Sequence, residues 1–305
     1  MTLLVRRRVE KPALLCVVMS ASIVSLFLLY NSSADRVSNL VLEHRQNYDQ
    51  TLSGINTQSL NSEETRSDDP RLIDIIRKLY LMPASTEPYA FAAASLPSDG
   101  QATIVDNFFK QKTHGLFVEC GAFDGQYLSN TLFLERFRAW TGLLIEPEPS
   151  NFEDLKNRHR KALIANSCLS SKPHPSEFVL RQDRALSEIL DVKNISYDRE
   201  TGGTGDVSYN IVQCFPFYSF LLAANITTVD YFSLDVEGQE FNVLKTIPWH
   251  RVDIKVISVE HKHVKEGKAA VNAYMATTGY VDYDELADGY GTPSDVIYVR
   301  RDLLA

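Results

Sequence analysis

Short apolar runs that end abruptly on acidic or glycine-containing stretches recur along the second half of the chain. Leu116-Phe117-Val118 runs into Glu119-Cys120-Gly121, and Leu143-Leu144-Ile145 into Glu146-Pro147. Tyr231-Phe232-Ser233-Leu234 stops at Asp235, and Ile254 to Val259 stops at Glu260-His261. Runs of this length with turn signals at their ends predict strands buried on both faces of a parallel sheet. Between them the spacing turns helical: Leu128, Leu132, Leu134 and Phe137 after the first run, residues 151–160 after the second, then Phe241, Leu244 and Ile247, then Val271, Tyr274 and Met275. Gly279 to Tyr283 and Asp295 to Arg300 predict two closing strands. Strand and helix alternate, so the expected class is α/β with helices on both faces of the sheet.

The intervening stretches read less regularly. Leu72, Ile73, Ile75, Ile76 and Leu79 suit a short amphipathic helix, broken afterwards by Pro83 and Pro88, and residues 104–109 suit another. Residues 162–165 predict a third strand, 166–171 a small polar turn, and 176–181 an alternating, antiparallel strand. Residues 191–206 contain Gly202, Gly203 and Gly205 and read as a loop able to act as a lid. Residues 211–215 and 218–224 predict a strand and a helix.

The N-terminal pattern is of a different kind. Arg6, Arg7, Arg8 and Lys11 precede residues 13–30, an uncharged, strongly apolar run. At about 1.5 Å per residue such a run spans ~27 Å, enough for a bilayer core. The expected organisation is a cytosolic tail (1–12), a transmembrane signal-anchor (13–30), a polar disordered stem (31–70) and a folded domain (71–305). A basic flank retained in the cytosol makes this a single-pass type II protein with its domain in the endoplasmic reticulum or Golgi lumen. A cleaved signal peptide is the competing reading. Asn31, Asn194 and Asn225 each head a glycosylation sequon.

Composition narrows the class. A hydrophobic fraction of 44% supports a full core, and a formal net charge of −8 argues against a nucleic-acid surface. Four cysteines are too few for a disulfide scaffold; of Cys120, Cys168 and Cys214 at most two pair with each other, and which pair is left open.

The chemistry concentrates at the strand ends. Glu119, Glu146, Asp235 and Glu260 all sit at or just beyond the carboxyl end of a predicted strand, where open α/β sheets bind ligands. Gly121 and Gly125 bracket a tight turn in which backbone can approach a ligand, with Asp124 between them. Glu146 follows Glu119 by 27 positions (146 − 119), near the spacing at which a second-strand carboxylate receives a ribose diol. Each acid has a structural alternative: Glu119 and Asp124 as turn caps, Asp235 and Glu237 as first-turn carboxylates of the next helix. Asp235, Glu237 and His261 are the candidate general bases. His261 and His263 share a face if the strand continues, and with Asp235, Glu237 and Glu260 form a candidate metal set. A solvated strand end is the reading taken, so no metal is expected.

FVECGAFDGQYLSNT (117–131), GLLIEPEP (142–149), NSCLS (166–170), VDYFSLDVEGQE (229–240) and VISVEH (256–261) together resemble the FkbM family of S-adenosylmethionine-dependent methyltransferases. The resemblance implies a Rossmann-like, seven-stranded methyltransferase sheet with its last strand inserted antiparallel. It implies S-adenosylmethionine as cofactor, with the methionine end near Glu119 and Gly121, the ribose on Glu146 and the adenine near Cys168 to Ser170. With the membrane run it is similar to an animal, Star-like branch, whose type II proteins help membrane-bound growth-factor precursors move from endoplasmic reticulum to Golgi. Two functions follow as expectations: O-methyl transfer to a glycan or other hydroxyl acceptor, and non-catalytic handling of a membrane-bound protein cargo. Neither involves nucleic acid.

Overall fold

The computed structural model describes residues 60–91, 100–182, 188–190 and 208–304. The expected anchor, most of the stem, the sequons at Asn31 and Asn194, and the lid at 191–206 lie outside the described residues. Among the described residues no helix is long and apolar enough to cross a membrane.

The strands in chain order are β1 (Leu81–Met82), β2 (Leu116–Cys120), β3 (Thr141–Ile145), β4 (Leu163–Ala165), β5 (Cys168–Leu169), β6 (Ser176–Gln182), β7 (Glu188–Leu190), β8 (Ser208–Phe215), β9 (Thr228–Leu234), β10 (Asp253–Glu260), β11 (Tyr280–Ala287) and β12 (Pro293–Arg300). The helices are α1 (Pro70–Ile75), α2 (Gln101–Phe108), α3 (Leu132–Arg138), α4 (Pro149–Asn157), α5 (Phe217–Ala223), α6 (Glu240–Thr246) and α7 (Gly267–Thr277).

The acid-ended runs form the parallel centre of an eight-stranded sheet of order β1-β4-β3-β2-β9-β10-β12-β11. Strands β4, β3, β2, β9 and β10 are parallel, β12 is inserted antiparallel to β10, and β11 closes the edge. This is the Rossmann-like α/β methyltransferase arrangement. The expected seven strands gain an eighth because Leu81 and Met82 pair antiparallel with Ala165 and Ile164 before the first proline break.

Alternation along each strand divides the core in two. Val118, Leu143, Ile145, Phe232 and Ile257 point to one face and pack with α1, α5, α6 and α7; Phe117, Leu144, Tyr231, Val256 and Ile297 point to the other. Successive strand side chains emerge on opposite faces, so neighbours such as Phe117 and Val118 serve different layers.

The segment 166–215 makes a second sheet of order β5-β8-β6-β7, where a polar turn and two isolated strands were expected. Cys168 and Cys214 are register partners in the parallel β5–β8 pair and are joined by a disulfide, which leaves Cys120 as the free, buried thiol among the described cysteines.

The packed part of the chain begins before Arg71. Leu60 is buried, the Asn61 and Gln213 side-chain amides bond each other at 2.9 Å in both directions, and Ser219 Oγ donates to the Ser67 carbonyl at 2.7 Å. Asp69 then caps α1 by accepting the Arg71 N–H, with Pro70 at the first helical position.

Candidate functional site

The carboxyl ends of β2, β3, β9 and β10 open onto one cleft of about 270 Å³. Glu119, Glu146, Asp235 and Glu260 all line it, so the four strand-end acids do converge. Gly121 lies at its floor with φ of +79°, and a Cβ there would fall 1.9 Å from the Asp235 carbonyl oxygen. Only glycine permits this turn to lie against the loop after β9, where the Asp235 N–H also donates to the Cys120 carbonyl at 3.2 Å.

The glycine turn does not open directly into a helix. Residues 121–131 form an irregular loop, Leu128 and Tyr127 project from it, and α3 starts only at Leu132. Two buried charges hold this loop. Glu119 accepts hydrogen bonds from the Ser129 hydroxyl (2.9 Å), the Asn130 N–H (2.7 Å) and the Thr131 hydroxyl. Arg160 donates to Glu135 (3.0 Å), to the Gly125 carbonyl, to Ser129 Oγ (3.2 Å) and to Thr131 Oγ1 (3.0 Å). Burial pushes the Glu119 carboxyl above its ordinary range, while Arg160 and the three donors pull it down. Glu119 is therefore both a wall of the cleft and the brace of the loop beside it. Arg160 was expected to end a helix over 151–160, but α4 ends at Asn157 and Arg160 lies beyond it.

Glu146 joins the same loop to the next element. Its Oε2 accepts the Phe123 N–H and its Oε1 the Glu148 N–H, each at 2.9 Å. The cap of α4 is Glu148, which accepts the Asn151 N–H at 2.6 Å, so Glu146 remains on the cleft wall. Burial pushes its carboxyl up to about 7, against the pull of those two backbone donors.

The far end is more acidic. Glu260 and Asp295 are register partners across β10 and β12, and both are buried. Like charges directly opposite in a sheet repel. Burial and its acidic neighbours push Glu260 up to about 10 and Asp235 well above the carboxylate range. Glu240, the first residue of α6, braces the loop before its helix by accepting the N–H groups of Val236 (2.7 Å) and Gly238 (3.0 Å). Glu237 meets His263 Nδ1 at 2.7 Å.

Other candidates are placed differently. Asp124 accepts the Gln126 and Tyr127 N–H groups and pairs with Arg158 at 2.6 Å, outside the cleft lining. Gly125 serves the turn, with φ of +73° and Leu155 Cδ1 packed 2.4 Å from where a Cβ would sit. Cys168 lines the cleft from within its disulfide, whereas the buried Ser170 hydroxyl donates to the His174 carbonyl at 2.9 Å and accepts the Lys172 N–H, away from the cleft. β10 ends at Glu260, so His261 and His263 do not share a strand face: His261 turns towards Glu285 at 3.6 Å, outside the lining, and His263 faces the acids. Gln101 at the start of α2, and Asp295, line the cleft without having been singled out in the sequence.

A mixed sheet with a glycine turn and acids at the ends of its first two central strands defines a methyltransferase-like α/β domain. The methyltransferase FkbM domain family matches residues 119–283, more than half of the chain, and the chain belongs to that family. No curated protein matches it in sequence. Among solved structures, methyltransferase FkbM from Methylobacillus flagellatus KT is similar at 14% identity and a TM-score of 0.38, over 72% of this chain and 48% of that one. The chain thus spans about half the length of that relative. A methyltransferase from Pyrococcus furiosus aligns at 9% identity with a TM-score of 0.37, over 74% of this chain and 93% of that one. Human methyltransferase 10 domain containing protein aligns at 11% identity and 0.40, over 76% and 97%.

Removing Arg160 strands the buried Glu135 carboxylate. Arg160→Ala is expected to cost about 3–5 kcal/mol of unfolding free energy, the scale of a broken buried ion pair. Urea denaturation measures it, and a loss within the range of a surface substitution contradicts the bracing role. Glu146 gives a pH signature. Its folded-state value lies above the ordinary 4.5, so the folded chain holds the proton more tightly than the unfolded chain. That contribution is fully present below about pH 4.5 and is lost as pH rises through about 7. Wild-type stability relative to Glu146→Gln is expected to fall by up to about 3 kcal/mol over that window. Parallel denaturation series at pH 5 and pH 8, about the edges of that window, test the sign.

Proposed function

We propose that the chain is an S-adenosylmethionine-dependent O-methyltransferase that acts on a hydroxyl acceptor, a glycan being the type that fits the compartment. The observation that carries this reading is the convergence of Glu119, Glu146 and the Gly121 turn on one cleft. The residues suit the donor. Glu146 Oε2 has one backbone partner and a further lone pair to offer a ribose diol, whereas Oε1 also accepts the Asn151 side-chain amide at 3.5 Å. Phe123, Ile145, Pro147 and Leu169 supply apolar wall for a purine ring. The Gln101 Oε1 atom is buried, has no hydrogen-bond partner among the described residues, and belongs to a cleft-lining residue able to accept from the donor's amino groups.

The bound donor supplies an electrophilic methyl carbon whose bond to sulfur breaks with the electron pair going to sulfur. The protein's part is alignment of the acceptor oxygen and removal of its proton. Asp235 is the base this geometry favours, because it lines the cleft beside Gly121. Glu237 is held by His263, and His261 stands away from the cleft.

The compartment is part of the same proposal. The uncharged run at 13–30 and the Cys168–Cys214 disulfide both favour a type II protein of the endoplasmic reticulum or Golgi with a lumenal domain. Asn225 of the third sequon is exposed and available for glycosylation. The same features keep a second reading in view, a Star-like factor for membrane-bound cargo that retains the fold without turnover.

Glu146→Ala is expected to weaken donor binding by about 1–3 kcal/mol, the scale of a lost hydrogen bond to a charged group. Asp235→Asn and Glu237→Gln are expected to reduce methyl transfer more than donor binding, since a group acting on the acceptor contributes mainly in the transition state. The assay is transfer of labelled methyl to a hydroxyl acceptor, run beside donor titration of the same variants. Cargo delivery in cells that persists in Asp235→Asn, with no transfer by the wild type, favours the second reading. In membrane vesicles, failure of Asn225 to gain glycan contradicts the lumenal placement.

A further inference from the structure

We propose that the carboxyl end of β10 and the loop after β9 form a divalent-cation site whose ligands are Glu237, Glu260 and His263. One ligand atom from each of the three lies within 4.8 Å of the other two. His263 Nδ1 stands 2.7 Å from Glu237 Oε2 and 3.3 Å from Glu260 Oε1. A second, independent observation points to a missing positive partner: Glu260 Oε2 is shielded from solvent and has no hydrogen-bond partner among the described residues, although Glu260 is a buried, cleft-lining residue. A buried carboxylate oxygen left unpaired is costly, and here its neighbours make it costlier. Asp235 and Glu240 each bring a ligand atom within 4.8 Å of the Glu260 carboxylate, and Asp295 faces Glu260 across the sheet.

Among the described residues the nearby lysines are paired with other acids, although Lys262 also feels the charge of Glu260 and Glu237. Lys262 on the cleft rim is bound to Asp288 at 2.8 Å, and Lys268, further along the chain, to Glu285 at 2.7 Å. Among the described residues His263 is the basic side chain that meets both Glu237 and Glu260. Two carboxylates and an imidazole with no thiol suit a hard to borderline ion of the Mn²⁺ or Mg²⁺ class. Glu240 then serves as brace, since its oxygens are already used by the Val236 and Gly238 N–H groups. The site opens on the same cleft as Asp235 and Gly121. Resting on the methyltransferase reading, its role is to bind the acceptor's hydroxyl oxygen and lower its pKa. Asp235 takes the proton, and the resulting oxygen nucleophile forms the new bond to the methyl carbon.

The test is Mn²⁺ titration of the full chain without donor, followed by loss of the free-ion electron paramagnetic resonance signal. The expected result is one saturable site per chain, displaced by excess Mg²⁺. Glu260→Gln and His263→Ala should each weaken it by about tenfold or more, at or above the scale at which disturbed metal shells lose affinity. If Glu260→Gln fails to fold, His263→Ala decides, because that side chain is 40% exposed. Absence of a saturable site, or unchanged affinity in the folded variants, overturns the inference. A parallel titration with S-adenosylmethionine separates the two claims. Donor binding without Mn²⁺ binding removes the cation site and leaves the methyltransferase reading, and Mn²⁺ binding without donor binding does the reverse.

Discussion

Arg160 is fully enclosed, and a guanidinium there must recover in hydrogen bonds and counter-charge what it lost in hydration. It does so by gathering groups that are distant in sequence: Glu135 on α3, the Gly125 carbonyl, and the Ser129 and Thr131 hydroxyls. Those hydroxyls also donate to Glu119, so one buried cation and one buried anion clamp the loop between them. The shape of the cleft's near wall depends on this clamp. Loops carry binding groups well only when something rigid holds them, and here the holder is charge buried under the loop.

The far wall presents the opposite problem. Past the end of β9, at the end of β10 and near the start of β12, Asp235, Glu260 and Asp295 line one cleft, and among the described residues no fully buried arginine comparable to Arg160 lines it with them. Topology obliges this: β9 and β10 run parallel and so end at the same edge, and the antiparallel β12 begins there, placing Asp295 opposite Glu260. Burial, and then the concentrated negative charge, raise the proton affinity of Glu260 and Asp235. That charge also makes the cleft attractive to a cationic ligand. A sulfonium and a divalent metal are the two charges that the proposed chemistry would bring there.

Much of this was legible in the sequence, and the reasons are physical. A strand buried on both faces must be apolar throughout, so its end is marked by the first acid, and the four marks fell where the cleft is. The antiparallel insertion and the disulfide partner were not readable from pattern, because both depend on register between segments far apart. Cys168 and Cys214 meet only because β5 and β8 pair. Leu128 fitted a helical spacing yet is exposed outside any helix, since Glu119 captures residues 129–131 and delays α3 to Leu132; Phe137 is helical but on the exposed side of α3. His261 and His263 alternated in sequence, but alternation predicts a shared face only while the strand lasts, and β10 stops at Glu260. Arg160 left no mark, because its place in the pattern fitted a solvated helix end, whereas α4 stops at Asn157 and Arg160 lies beyond it under the 121–131 loop.

The central claim is that the cleft between the clamped loop and the acidic strand ends receives S-adenosylmethionine. Calorimetric titration of the full chain with S-adenosylmethionine tests it most directly. The account predicts saturable binding of one donor per chain, lost together with the loop's order when Arg160 is replaced. Absence of binding by a chain that melts cooperatively would contradict it.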